Sequence, residues 1–276
     1  MSRTIVVIAS ILLLFSGTVC AQKPCPAKTI DDCPEKGCGS WDPEFDQKKN
    51  LTADPKSQNP KRMTLDEIRA LPYPEHWSLG KNRAELENLG EGTLVQVTAY
   101  LIKVNYGDLS SANCKLVERW AVNDILILVS QEDLNRKPVS PKRILREKKA
   151  KKEFDVREAL SVTAEITARV RLQRTKEENK SIVSNWLKEK LDALIKNSRN
   201  GKFVRITGLL LLDTEHIYTP QQRSTDWQIS PVLKIEICEK GDTCVADADW
   251  TKLEDILIKT RKPLPPPQTG PRIPDR

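Results

Sequence analysis

The chain has 276 residues, of which 38% are hydrophobic and 30% are charged, and its formal net charge is +7. This composition is typical of a globular protein with a sizeable core, and it excludes a multi-span membrane protein and a small scaffold held only by disulfides. Aromatic residues make up only 5% of the chain, which argues against a large base-stacking surface.

The first 21 residues predict a cleaved secretory signal. Arg3 is followed by an apolar run from residue 5 to 15 and then by small residues up to Ala21, which is the order of a signal peptide. The apolar run is shorter than the ~20 residues that a membrane span needs. We therefore expect an extracytoplasmic protein, periplasmic or secreted; the alternatives are an uncleaved anchor and a lipid anchor on Cys20.

Cleavage after Ala21 would leave six of the seven cysteines. An even number in an exported chain predicts three disulfides. Cys238 and Cys244 flank a short turn and are the best single pair. The spacing does not choose among the pairings of the other four cysteines; one candidate arrangement is Cys25–Cys33 with Cys38–Cys114. A zinc site has little support because the chain lacks a CxxC motif and has two histidines, so we expect no metal and no cofactor.

Composition and the periodicity of apolar residues divide the chain into a signal peptide (1–21), an irregular Cys- and Pro-rich arm (22–90), a barrel (91–245) and a tail (246–276). Within the arm, Thr64 and Glu67 have the form of a capping box, which predicts a short helix to about Leu71. A second short helix is predicted over Asn82–Leu89. In the tail we expect a short helix through Ile258, followed by a disordered Pro-rich segment.

Five segments of the body have strand patterns: Thr93–Val104, Asp124–Ser130, Ser161–Leu172, Lys202–Asp213 and Trp227–Ile237. Each carries apolar residues either at alternate positions or in a dense run, which is typical of half-buried or buried strands. The longest uninterrupted alternation is that of the third segment. Gly208 predicts a bend or bulge, and Pro231 predicts an edge position or a bulge.

Between the third and fourth strands, apolar residues from Leu187 to Ile195 follow helical spacing. The order strand, strand, strand, helix, strand, strand is that of the OB-fold, a small five-stranded barrel. The predicted fold class is therefore mainly β with added helices (α+β), an OB-like barrel with a disulfide-tied N-terminal arm.

Several segments of the body together form a distinctive set: Asn113-Cys114, Asp124, Glu165–Arg171, Arg205–His216 and Trp227–Val232. In these segments, which lie within roughly half of the chain, the sequence resembles a largely uncharacterised family of exported bacterial proteins with an OB-like barrel. Leu126 and Ser230 stand where that family tends to have His, and Ala168 and Thr214 stand where it tends to have Pro. The resemblance therefore implies a fold and a compartment, and it implies no activity.

Two groups of polar residues on the barrel are candidate ligand-binding sites. Asp213, Glu215 and His216 lie where the fourth strand runs into a loop that flanks the ligand face of OB-folds, where they can hold a metal or move a proton; the alternative is a solvated strand end. Glu165, Arg169 and Arg171 share the predicted polar face of the third strand. Both arginines can bind phosphate or carboxylate there, and the alternative is a solvated sheet face with an internal ion pair.

A third candidate is the basic run from Arg136 to Lys152. It holds nine Lys or Arg residues and one acid, a pattern that attracts polyanions. Its densest part consists of Lys148, Lys149, Lys151 and Lys152. The alternative is a solvated helix or loop, and the absence of aromatic residues from the run leaves no base-stacking surface.

These patterns predict an exported OB-like binding module for a polar or anionic ligand, without catalysis. Its partners would be a polyanion or another envelope component. One alternative is a metal-dependent hydrolase of nuclease type, for which Asp213, Glu215, Arg169 and Arg171 are the nearest available set. A second alternative is a structural, envelope-associated protein. The sequence contains none of the GxSxG, Walker, HExxH or GxGxxG motifs.

Overall fold

The computed structural model describes residues 25–52, 59–78, 82–117, 123–130, 160–178, 188–196, 202–215, 217, 224–241 and 243–256. The predicted signal peptide, the basic run, His216 and the Pro-rich tail lie outside these residues. Within the described ranges, no helix combines the length and the apolar character needed to cross a membrane.

Five helices and seven strands form the described part of the chain. The helices are α1 (Pro43–Lys49), α2 (Leu65–Arg69), α3 (Ala84–Asn88), α4 (Ala168–Glu178) and α5 (Lys188–Lys196). The strands are β1 (Lys61–Arg62), β2 (Leu94–Tyr106), β3 (Ile125–Ser130), β4 (Val162–Ile166), β5 (Lys202–Leu212), β6 (Trp227–Cys238) and β7 (Trp250–Lys252).

Strands β2 to β6 close into a barrel. Antiparallel pairing joins β2 to β3, β3 to β4, β2 to β5 and β5 to β6. The barrel closes through a short parallel pairing of β4 with β6, in which Thr163 lies opposite Gln228. This arrangement confirms the predicted α+β fold class, with an OB-like five-stranded barrel. The short strands β1 and β7 extend the sheet at β2 and β6.

The barrel interior is filled by the alternating apolar residues that the sequence pattern singled out. On β2, for example, Val95, Val97, Ala99 and Leu101 are all buried. Helix α5 packs against β2 and contributes Leu191, which is fully buried. Burying a Leu side chain contributes about 1.5–3 kcal/mol, so this continuous core is the main source of stability of the fold.

Gly208 and Pro231 meet at a bulge between β5 and β6. The register of the two strands shifts on both sides of Gly208. A Cβ atom on Gly208 would lie 2.5 Å from the carbonyl oxygen of Pro231, so a larger residue would force the strands apart. The predicted bulge is therefore confirmed for both residues, and it is the close approach of two backbones that requires glycine.

The third predicted strand is wrong beyond Ile166. Residues 168–178 form helix α4 instead, although the alternation of polar and apolar residues continues to Leu172. The Oγ1 of Thr167 accepts a hydrogen bond from the Val170 N–H, and the Asp124 carboxylate accepts one from the Ala168 N–H. These side-chain acceptors satisfy the first N–H groups of the helix, which local alternation does not reveal.

Two further predictions need correction. The arm before Arg62 is not wholly irregular, because α1 begins after Asp42, whose side chain accepts a hydrogen bond from the Phe45 N–H. Pro43 at the first helical position favours this start. After the barrel, the expected helix through Ile258 is replaced by a 3₁₀ turn, the short strand β7 and a second 3₁₀ turn ending at Asp255.

Three disulfides link the cysteines of the described chain. Cys238 is bonded to Cys244. The other two bonds are Cys25–Cys38 and Cys33–Cys114, so the candidate arrangement Cys25–Cys33 with Cys38–Cys114 is wrong. The Cys33–Cys114 bond crosses 81 residues and ties the arm to the loop between β2 and β3. Three disulfides are typical of proteins that fold in an oxidising compartment.

Candidate functional site: a cavity between the arm and the barrel

A cavity of about 260 Å³ lies where the arm covers one end of the barrel. We call it the arm cavity. Its walls are the arm from Gly39 to Lys49, the β2–β3 loop from Gly107 to Lys115, and the start of the β5–β6 loop at Asp213 and Glu215. Asp124, Leu126, Glu165 and Gln228 of the barrel strands and their ends complete the lining. The two loops follow the first and the fourth of the five barrel strands.

The β2–β3 wall is held against the arm by covalent and hydrogen bonds. Besides the Cys33–Cys114 disulfide, the Cys38 N–H donates to the Ser111 carbonyl at 3.0 Å. The Asn50 side-chain amide donates to the Ala112 carbonyl at 3.0 Å. The approach is close enough that Gly37, at φ +65°, has no room for a Cβ atom, which would lie 2.3 Å from the Ser111 carbonyl oxygen. This wall is therefore fixed rather than adaptable.

The β5–β6 wall is fixed by Arg83, which is 1% exposed. Its guanidinium donates to both carboxylate oxygens of Glu91, to Asp42 Oδ2 at 2.7 Å and to Thr214 Oγ1 at 3.0 Å. It also lies 5.1 Å from the centre of the Phe45 ring. A guanidinium with so many bonded donors is a rigid connector, so Arg83 positions the start of α1 and the residues next to Asp213 at the same time.

A buried lysine and two buried carboxylates form the floor of the arm cavity. Lys49 Nζ, from α1, lies 2.9 Å from Glu165 Oε1 of β4 and 3.2 Å from Asp124 Oδ2, just before β3. All three side chains are less than a tenth exposed. The remaining oxygens also have donors: Ser230 Oγ donates to Glu165 at 2.7 Å, and the Asn113 amide donates to Asp124 at 2.8 Å. We call Lys49, Asp124 and Glu165 the buried triad.

The triad contains one cation and two anions, and the pKa values follow from this imbalance. Burial alone would lower the pKa of Lys49, but Glu165 and Asp124 raise it above its ordinary value. Burial would likewise raise the pKa of Asp124, yet Lys49, Asn113 and the Ala168 N–H hold it below its usual range. For Glu165, burial and the neighbouring Asp124 charge outweigh Lys49 and raise the pKa to about 7. The Lys49 ammonium therefore stays charged. Glu165, whose pKa is raised, is the carboxylate of the triad that takes up a proton first as the pH falls.

Asp46 is a further buried carboxylate in the cavity lining. Its side chain is 1% exposed, and within the described residues its Oδ2 accepts no hydrogen bond. Burial raises the pKa of Asp46 to about 6; Ser111, Ser40 and Lys49 lower it in part, and Glu215 raises it. An ionised carboxylate held in this environment destabilises the fold, and such positions are concentrated at functional sites.

The structure brings together some of the residues that the sequence singled out. Asp213, Glu215 and Glu165 all line the arm cavity, whereas the predicted polar face shared by Glu165, Arg169 and Arg171 does not exist. Both arginines lie on α4, where Arg169 Nη2 donates to the Cys33 carbonyl at 2.5 Å and Arg171 Nη2 donates to the Asn123 carbonyl. Arg169 therefore links α4 to the arm, and Arg171 links α4 to the segment just before β3.

His216 and the four lysines 148, 149, 151 and 152 lie outside the described residues, so their roles as candidates stay predictions.

Sequence reasoning missed Lys49 and Asp46 as site residues, because both belong to a stretch without periodicity. The signal that was available is the Asp42-Pro43 start of α1, which places Asp46 and Lys49 on adjacent turns of one helix. Trp41 is exposed and also lines the cavity. Nothing in the sequence around it indicates a site residue, apart from an aromatic side chain close to the start of α1.

Among the described residues, one group of three potential metal ligands lies close together: Cys25, Cys38 and Cys114. All three are in disulfides, and a disulfide sulfur is not the thiolate that binds metals.

Comparison of the chain with models of known protein families, with curated proteins and with solved structures found no match in any of the three.

Proposed function

We propose that this protein is an extracytoplasmic OB-like binding module that holds a small polar ligand in the arm cavity and does not transform it. The observation that carries the proposal is the polar cavity of about 260 Å³ between the two loops that flank the ligand site of OB-folds. Its walls are fixed by a disulfide and by Arg83, as expected for a preformed binding site.

The arm limits the size of the ligand. Pockets for drug-sized ligands have volumes of about 300–1,000 Å³, and the arm cavity lies just below this range. Its volume equals that of about nine waters at ~30 Å³ each. An extended polymer would need the face that α1 and Lys49 cover, so a small molecule fits this site better than an oligonucleotide does.

The alternative of a metal-dependent hydrolase has less support from the contacts. Arg169 and Arg171, two of the four residues that it needs, donate to backbone carbonyls away from Asp213 and Glu215. Two of the buried carboxylates of the site, Asp124 and Glu165, are bonded to Lys49. We found no observation that favours the structural, envelope-associated alternative over binding.

Export and the family resemblance are part of the same proposal. The three disulfides support an oxidising compartment, and the signal pattern of residues 1–21 supports cleavage after Ala21. N-terminal sequencing of exported protein tests this: a mature chain that begins at Gln22 is expected, and one that begins at Met1 or carries a lipid on Cys20 would contradict it.

The binding proposal is tested with three probes that share a four-carbon chain: diaminobutane, butanediol and succinate. Each is titrated by calorimetry into the protein with its disulfides intact. We expect at least one of them to bind saturably to the wild type and to lose binding in Leu126→Trp, which fills the cavity. Leu128→Trp is the matched control, because Leu128 lies two residues further along β3, is half-buried like Leu126 and is not in the lining.

Loss of binding in both variants, or in neither, would place the probe outside the arm cavity. Failure of all three probes to bind the wild type would contradict the proposed site.

A further inference from the structure

The arm cavity carries a large excess of negative charge. Its lining contains two lysines, Lys49 and Lys115, and six carboxylates. The carboxylates belong to Asp46, Asp108, Asp124, Glu165, Asp213 and Glu215. Lys49 is already bonded to two of them, so it contributes little attraction to a ligand that enters. A partly enclosed site with this balance repels anions and attracts cations.

Asp46 adds to the negative charge of this lining. Its side chain is 1% exposed, and the charge of its neighbour Glu215 has the same sign. An ammonium group in the cavity would offset the repulsion between these two carboxylates.

An exposed aromatic ring lies in the same lining. Trp41 is 72% exposed, far more than a tryptophan with a structural role in a core. The face of an indole attracts cations more strongly than any other side-chain ring, and quaternary and primary amines are bound in this way. An indole face next to carboxylates therefore suits an organic cation, which is attracted by both the ring and the negative charge.

We infer that the ligand of the arm cavity is a small organic cation, an amine held between the cavity carboxylates and the Trp41 ring. This inference rests on the proposed binding function and names its ligand class. At the ~30 Å³ share of one water for each non-hydrogen atom, the cavity accommodates about nine such atoms, so a short diamine or a quaternary ammonium compound fits.

The same three probes decide the charge of the ligand. Diaminobutane should bind at least tenfold more tightly than butanediol, which has the same chain length without charge, and succinate should show no binding to the cavity. Trp41→Leu should weaken diaminobutane binding about fivefold, which corresponds to a cation–π contribution of ~1 kcal/mol. Glu215→Gln should weaken it by a similar factor. Glu239→Gln, a surface control that removes the same charge outside the lining, should leave it unchanged.

Where a probe binds, the outcome separates the two proposals. If butanediol or succinate binds the cavity as tightly as diaminobutane, the cation inference is overturned while the binding module stands. If diaminobutane binds but Glu239→Gln weakens it as much as Glu215→Gln does, the attraction is general surface charge, and the inference is also overturned. If no probe binds, both proposals fail together.

Discussion

Lys49 gives the sharpest test of the site, because one substitution removes the only cation of the buried triad. In Lys49→Met an unbranched apolar side chain replaces the lysine, and the contact of the ammonium with the Phe45 ring, 5.5 Å from Nζ to the ring centre, is lost as well. The ammonium that lies 2.9 Å from Glu165 and 3.2 Å from Asp124 is lost. Two buried carboxylates then face each other without compensation. Removing one partner of a buried ion pair costs about 3–5 kcal/mol, and we expect a loss of this size at pH 8.

The loss should depend on pH. Without Lys49, the folded-state pKa values of Glu165 and Asp124 rise above their unfolded values, so the folded variant binds more protons than the unfolded one at intermediate pH. Its stability therefore falls as pH rises. Relative to wild type, the destabilisation should be largest at pH 8 and should shrink towards pH 5, where at least one carboxyl group is neutral.

The assay is urea denaturation of oxidised wild type and variants at pH 5 and pH 8. Lys48→Met is the matched control: Lys48 precedes Lys49 on α1 and pairs with the exposed Glu87 at 2.7 Å. It also lies 3.8 Å from the buried Glu91, which keeps its two bonds from Arg83 in the variant, so we expect a loss of only about 1 kcal/mol. The double variant Lys49→Met/Glu165→Gln should recover part of the stability. A loss below about 1 kcal/mol for Lys49→Met, or one that is equal at both pH values, would refute the triad as an electrostatic unit.

Three further predictions follow from the fold and the charge pattern. Ile166→Ala and Leu191→Ala should each lower the free energy of unfolding by ~2–4 kcal/mol, since both side chains are fully buried; urea melts within ~0.5 kcal/mol of wild type would contradict their core positions. Asp46→Asn should raise the urea midpoint at pH 8 and change it little at pH 5, because the pKa of about 6 lies above the unfolded value and the ionised form destabilises the fold; a midpoint that is lower at pH 8 would show that the charge is stabilising. The third prediction concerns the basic run, outside the described residues, in which Lys148, Lys149, Lys151 and Lys152 are replaced by Gln. The variant should bind heparin or DNA more weakly, and the slope of its salt dependence should fall by about one unit per lost phosphate contact. Binding that is absent in wild type or unaltered in the variant would exclude a polyanion site there.

The strands, their order and the barrel could be predicted because alternation is a local property of a chain. Side chains of a strand point to opposite faces in turn, so the burial of Val95, Val97 and Ala99 is already present in their spacing. The bulge at Gly208 was visible for the same reason, since glycine within a strand marks a close approach. At Ala168 the prediction from alternation was wrong. There the side chains of Thr167 and the distant Asp124 accept hydrogen bonds from the first N–H groups of a helix, and the local pattern does not reveal these contacts.

The site itself was decided by tertiary structure. Lys49 and Glu165 are 116 residues apart, and no local pattern relates an ammonium in an aperiodic arm to a carboxylate on a strand. The even count of cysteines predicted three disulfides, yet the choice of Cys33–Cys114 over Cys38–Cys114 depends on how the arm lies across the β2–β3 loop. Local periodicity determines which face of a helix or strand is buried. Contacts between segments far apart in the sequence determine which elements cover that face and which charged side chains those elements contribute.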